Sequence, residues 1–175
     1  MAYDGMFLPP DQDPRDGTAP PRGERANLVD YLERYRTTLE LKCDGLDPEQ
    51  MARRSVPPSS MSLLGLVRHM ARVEHRWFRL VIERRDLPRL YDDGDAGFAA
   101  ITADDAAVAD AWDSWHREVA YAREVLAGTD LDDLVEAHGE QYEVRDIVVH
   151  MIEEYARHVG HADLLRECID GRTGQ

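Results

Sequence analysis

Four side chains able to bind a metal, His150, Glu154, His158 and His161, recur at i, i+4, i+8 and i+11 in the run VVHMIEEYARHVGHADLLRECIDG. At about 100° per residue, such positions fall within roughly 80° of arc on an α-helix, so all four point the same way. Ile147, Met151, Tyr155, Val159, Ala162, Leu165 and Ile169 form an apolar face overlapping one side of this stripe. The four therefore border a core instead of facing open water. Imidazole nitrogen and carboxylate oxygen held against an apolar wall suit zinc first, and nickel or another first-row ion next. The competing reading is a plain one: a helix-border histidine hydrogen-bonded to a neighbour, or an exposed i,i+4 Glu–His ion pair.

One straight helix aims two ligands well at i and i+4, so a third must come from another segment. The run SSMSLLGLVRHMARVEHRWFRLVIER reads as a second amphipathic helix, with Leu63, Leu66, Val67, Met70, Val73, Trp77, Leu80 and Val81 on one face. His69 sits at the edge of that face and is the expected third ligand beside Glu154 and His158. His75 is rotated away by about 120° and reads as solvated surface. Arg72, one turn beyond His69, is placed to hold an anionic group or to make a surface ion pair.

The elements that must position these residues can be read in order. Residues 1–22, with five prolines and several aspartates, read as an extended or disordered arm ahead of a helical domain over 23–175. Leu28, Leu32, Tyr35 and Leu39 mark a first helix ending at Gly45, and Asp47 and Pro48 open a short helical turn. Thr102 and Asp105 have capping-box spacing at the head of a third helix carrying Val108, Trp112, Trp115, Val119, Ala122 and Leu126. Both tryptophans read as core. His138 and Gly139 read as a solvated turn before the last helix, expected from about Val144 to Ile169 with a stop at Gly171.

Four amphipathic helices with no strand signal imply an all-α four-helix bundle. The unpatterned stretch from Asp86 to Ala103 can span about 60 Å when extended, enough for helix three to run parallel to helix two. The topology is then up-down-down-up with a long crossover between helices two and three, and His69, Glu154 and His158 lie at compatible depths to converge on one ion. The DDGDAG run in that crossover lacks the spaced ligands and closing Glu of a calcium loop.

Composition excludes several function classes. A net charge of -14 repels a phosphate backbone, so nucleic acid is not an expected partner. No run of about 18 apolar residues is present and the opening segment lacks a signal-peptide pattern, so no membrane span and a cytoplasmic location are expected. Cys43 and Cys168, too few and too distant for a disulfide framework or a CxxC pattern, read as reduced packing residues.

With these residues in place, SLLGLVRHMARVEHRWF and HMIEEYARHVGHADLLRECIDG resemble the DinB-like (DinB/YfiT) superfamily, especially its actinobacterial uncharacterised branch. The resemblance covers the chain from about Arg22 to Gly174. It implies an up-down-down-up bundle, commonly a homodimer, with a divalent metal held by a histidine of helix two and two ligands four apart on helix four. In this sequence those positions are His69, Glu154 and His158. Glu154, where many relatives have His, is similar to the mycothiol-dependent maleylpyruvate isomerase branch, whose additional C-terminal domain has no counterpart here.

The resemblance further implies a low-molecular-weight thiol of the mycothiol type as co-substrate and a small electrophile as substrate, in S-transfer or isomerisation. His150, His161 and Arg72 are then candidates for supporting roles around the ligands. The same three ligands would also serve a metal-dependent hydrolase, or a non-catalytic stress protein that binds metal or a small ligand.

Overall fold

The computed structural model describes residues 5–16, 19–91 and 101–175, and these are mostly helical. Helix α1 spans Glu24–Cys43 and α2 spans Pro48–Ala52. The short α2 is opened by a capping box in which Asp47 accepts from the backbone N–H of Gln50 and the Gln50 side chain accepts from the Asp47 N–H. Helix α3, Leu63–Glu74, starts at Ser62, whose hydroxyl accepts from the Gly65 N–H at 3.1 Å. It continues without a break into a π-helical segment, His75–Ile82. Helix α4 covers Asp105–Gly128, and α5 covers Val144–Asp170 and stops at Gly171 in the left-handed conformation.

The head of α4 corrects one expectation. Its N-cap is Asp104, which accepts from the Ala107 N–H at 2.7 Å, and not the Thr102–Asp105 pair. An aspartate directly before the first helical residue satisfies an orphan N–H at short reach, so it outcompetes the threonine two residues earlier.

A second correction is a β-hairpin. Strand β1, Leu134–Ala137, pairs antiparallel with β2, Glu140–Glu143, in the register Leu134–Glu143 to Ala137–Glu140. His138 and Gly139 form its two-residue turn, both with positive φ (55° and 80°), the geometry that matches the right-handed twist of a hairpin. Val135 and Ala137 turn inward while Leu134 and Glu136 face solvent.

The core is built from Leu32 and Leu39 of α1, Leu66 and Met70 of α3, Trp115 and Ala122 of α4, and Met151 and Tyr155 of α5, all essentially fully buried. Each leucine or methionine among them, removed from water, contributes roughly 1.5–3 kcal/mol before entropy is counted. Helix α3 packs against both α4 and α5, while α1 packs chiefly on α5. Two buried sides on α3 explain the third correction. His75 is not solvated: it is buried, with Nδ1 3.3 Å from Glu118 Oε2 of α4 and Nε2 3.0 Å from the Pro88 carbonyl. The face that looked free on a two-neighbour helix is the one α4 covers.

Across this core runs a closed polar network. Arg36 of α1 donates two hydrogen bonds to Glu74 of α3 at 2.8 Å each, Tyr155 of α5 donates to the same carboxylate at 2.7 Å, and Trp115 of α4 donates to the Tyr155 hydroxyl at 2.9 Å. Burial keeps the Tyr155 phenol protonated by pushing it well above its ordinary value. One ionic cluster thus ties four helices together and fixes the axial register of α3 against α5.

The described residues ahead of α1 form neither helix nor strand before Glu24, and Phe7 among them packs onto the domain. Phe7 is buried under the cations of Lys42 and Arg172, and its N–H donates to the Gln175 carbonyl at 2.9 Å. Cys43 is buried, which pushes its thiol up to about 12, as suits a packing residue. Cys168 is exposed and so is not one. The DDGDAG run lies outside the described residues. No helix among the described residues is long and apolar enough to cross a membrane.

Candidate metal centre and its cavity

Helix α3 carries His69 two turns after the Ser62 cap, and α5 carries Glu154 and His158 one turn apart. The fixed register of the two helices brings these three together. His69 Nε2 lies 3.5 Å from Glu154 Oε2, and His158 Nε2 lies 3.4 Å from the same oxygen. The two imidazole rings sit 4.4 Å apart between centroids. One donor atom from each residue lies within 4.8 Å of the others. Tetrahedral ligands at zinc bond lengths stand about 3.3 Å apart, so the spacing fits a small first-row cation with little movement.

The electrostatics fit as well. Hydrogen bonds from His158, and then from His69, hold the Glu154 carboxyl far below the usual carboxylate range, against the opposing effect of burial. Burial pushes the His69 imidazole below its ordinary value, outweighing the hydrogen bond to Glu154. At neutral pH these two groups are an anionic carboxylate and a neutral imidazole, the protonation states that ligation requires.

The supporting candidates occupy distinct places. His161 Nδ1 lies 3.4 Å from His158 Nδ1, and burial lowers the His161 pKa, so a neutral His161 is placed to accept a hydrogen bond from His158 Nδ1–H. That is the tautomer a cation would select on taking the Nε2 lone pair in place of the Nε2–H that donates to Glu154. His150 Nε2 lies 3.7 Å from Glu154 Oε1, and its ring meets Trp77 edge-on at 4.9 Å. Arg72 lines the cavity described next, beside His69.

A cavity of about 600 Å³ opens between α3, its π-helical continuation, the hairpin turn and α5, with His69 and Glu154 in its wall. Three further lining residues, Trp77, Arg76 and His138, are not visible to helical spacing. An α-helical period puts Trp77 in the core with Val73 and Leu80. The wider π-helical turns instead bury Phe78 and leave Trp77 half-buried at the cavity wall. The adjacent aromatics Trp77 and Phe78 were the available signal, since one face of a helix cannot bury both. His138 reaches the cavity because the hairpin packs against the π-helical segment, where Arg76 Nη2 donates to His138 Nε2 at 2.9 Å. Its side chain stays exposed, as expected of a turn residue.

A cavity of this size beside converging imidazoles and a carboxylate can admit a small molecule to a bound cation. Compared with curated proteins, the chain matches none. A family model described as Mycothiol-S-transferase matches residues 27–171, which takes in all but the first turn of α1, the remaining elements and every residue of the site, and the chain belongs to that DinB-like family.

Proposed function

We propose that this protein is a divalent-metal-dependent thiol S-transferase that joins a mycothiol-type thiol to a small electrophile. The single observation that carries the reading is the His69–Glu154–His158 cluster opening onto a cavity, in a chain of the mycothiol-S-transferase family. A two-nitrogen, one-oxygen donor set favours zinc, with nickel or another first-row ion as substitutes. The scaffold in this reading is an up-down-down-up four-helix bundle, with the hairpin as an addition to it. Operation as a homodimer in the cytoplasm, where such thiols are reduced, completes the proposal.

In this reading His69, Glu154 and His158 would hold the cation, and His161 would fix the tautomer of His158 through Nδ1. A bound zinc ion would lower the thiol pKa and so supply a thiolate at neutral pH. His150 Nε2, facing both Glu154 and the cavity, receives the thiol proton. The thiol sulfur then bonds to the electrophilic carbon. With a halide the carbon–halogen bond breaks and its electron pair leaves with the halide; with an epoxide the carbon–oxygen bond opens and the alkoxide takes up the proton. The open cavity favours catalysis over a sealed structural site.

Two measurements test this. Purified protein should hold roughly one equivalent of metal per chain, falling sharply in His158→Ala. The metal-loaded protein should consume mycothiol in the presence of epoxides or chlorinated aromatics, and the metal-free protein should not. Equal thiol consumption with and without metal would contradict the proposal.

A further inference from the structure

The cavity wall has a charge character opposite to that of the molecule. The chain carries 35 Asp and Glu against 21 Lys and Arg, yet among the described lining residues Glu154 is the single carboxylate and Arg72, Arg76 and Arg89 are all guanidiniums. Low-dielectric walls around such a patch focus its field and raise the local concentration of anions.

Arg76 and its neighbours give the patch a shape. Arg76 is exposed at the rim, and its polar contact among the described residues is the His138 imidazole, not a carboxylate. An incoming anion therefore displaces a neutral acceptor and no counter-charge. The Arg76 guanidinium lies 5.5 Å from the Trp77 ring centroid, and Trp77 is met edge-on by His150 at 4.9 Å and by His138 at 6.4 Å. Trp77 thus offers aromatic surface at the cavity wall with a cation over it. His150, against the same ring, has Nε2 3.7 Å from Glu154 Oε1. A planar ring lying against Trp77 with its anionic group at Arg76 would share the cavity with His150 and Glu154.

We propose that the cavity binds the electrophilic partner of the thiol as an aromatic carboxylate or sulfonate, with Trp77 holding the ring and Arg76 selecting the anion. This rests on the transferase reading for the words "electrophilic partner"; the anion-binding geometry itself does not. Arg76 is a specificity-determining residue here.

The test compares matched ligands on the full-length, zinc-loaded protein. Binding of the unreactive pair dinitrobenzoate and dinitrobenzene is followed by calorimetry and tryptophan fluorescence, and turnover is compared for chlorodinitrobenzoate and chlorodinitrobenzene. The anion should bind about tenfold more tightly than the neutral ring. The ratio of the two affinities should collapse to near unity in Arg76→Ala, invert in Arg76→Glu, and shrink with added salt in the unmodified protein. Trp77→Leu should weaken both rings. Equal affinities in the unmodified protein, or a preference that survives Arg76→Glu, overturn the assignment. Thiol transfer to both electrophiles with equal kcat/KM would keep the transferase reading and overturn this one. Selective anion binding without metal-dependent thiol consumption would leave an anion site but overturn its assignment to the electrophile.

Discussion

Helices α3 and α5 face each other across two polar clusters less than two turns apart, and the two have opposite characters. In one, Glu74 and Tyr155 are sealed in the core, and each strong donor meets an acceptor: Arg36 and Tyr155 on Glu74, Trp115 on Tyr155. In the other, His69, Glu154 and His158 converge donor atoms of the kind that hold a cation, and His69 and Glu154 border a cavity. Glu154 and Tyr155 are neighbours in the chain, so one step along α5 turns a side chain from scaffold to site. A buried polar group whose hydrogen bonds close among themselves sets register; converging lone pairs at a cavity await a ligand.

The contrast can be broken from the scaffold side first. Glu74→Ala strips the buried Arg36 of two of its three carboxylate hydrogen bonds, leaving it only Glu33 at 2.7 Å, and should cost about 3 kcal/mol in denaturant unfolding, a large share of a small domain's stability. His158→Ala should do the reverse: metal affinity falls by about a hundredfold or more, roughly 2.8 kcal/mol, while the metal-free protein unfolds within about 0.5 kcal/mol of the original. His161→Ala, which removes the acceptor for His158 Nδ1–H, should weaken metal by about tenfold.

The smallest effect is a pH dependence of the metal-free protein. The Glu154 pKa is depressed in the folded state, so its contribution to stability is fully present above the ordinary carboxylate value of 4.5 and is lost as pH falls below it. Denaturation midpoints between about pH 5 and 3 should therefore fall more steeply for the original protein than for Glu154→Gln. Parallel slopes would remove Glu154 from the charged cluster.

Much of this was legible in the sequence because helices advertise themselves by period. The i,i+4 pair Glu154–His158 and the border position of His69 follow from angle alone, and the structure brings them together. What was not legible came from departures from that period or from contacts distant in sequence. The π-helical segment shifts phase at His75, so Phe78 enters the core and Trp77 leaves it. The fate of His75 depended on Glu118 and Pro88, which no local pattern connects to it. The hairpin strands are four residues each, too short for alternation to stand out, although Val135, Ala137 and the His138–Gly139 turn carried the signal. The buried Arg36–Glu74 pair carries no local signal either, since charged residues on a helix ordinarily read as solvated.

The most direct test of the account is the anomalous difference density of a zinc-loaded crystal. One peak per chain, within about 2.0–2.2 Å of His69 Nε2, Glu154 Oε2 and His158 Nε2, is the expected result. Zinc bound elsewhere on the chain, or a peak unchanged in His69→Ala and His158→Ala, would contradict it.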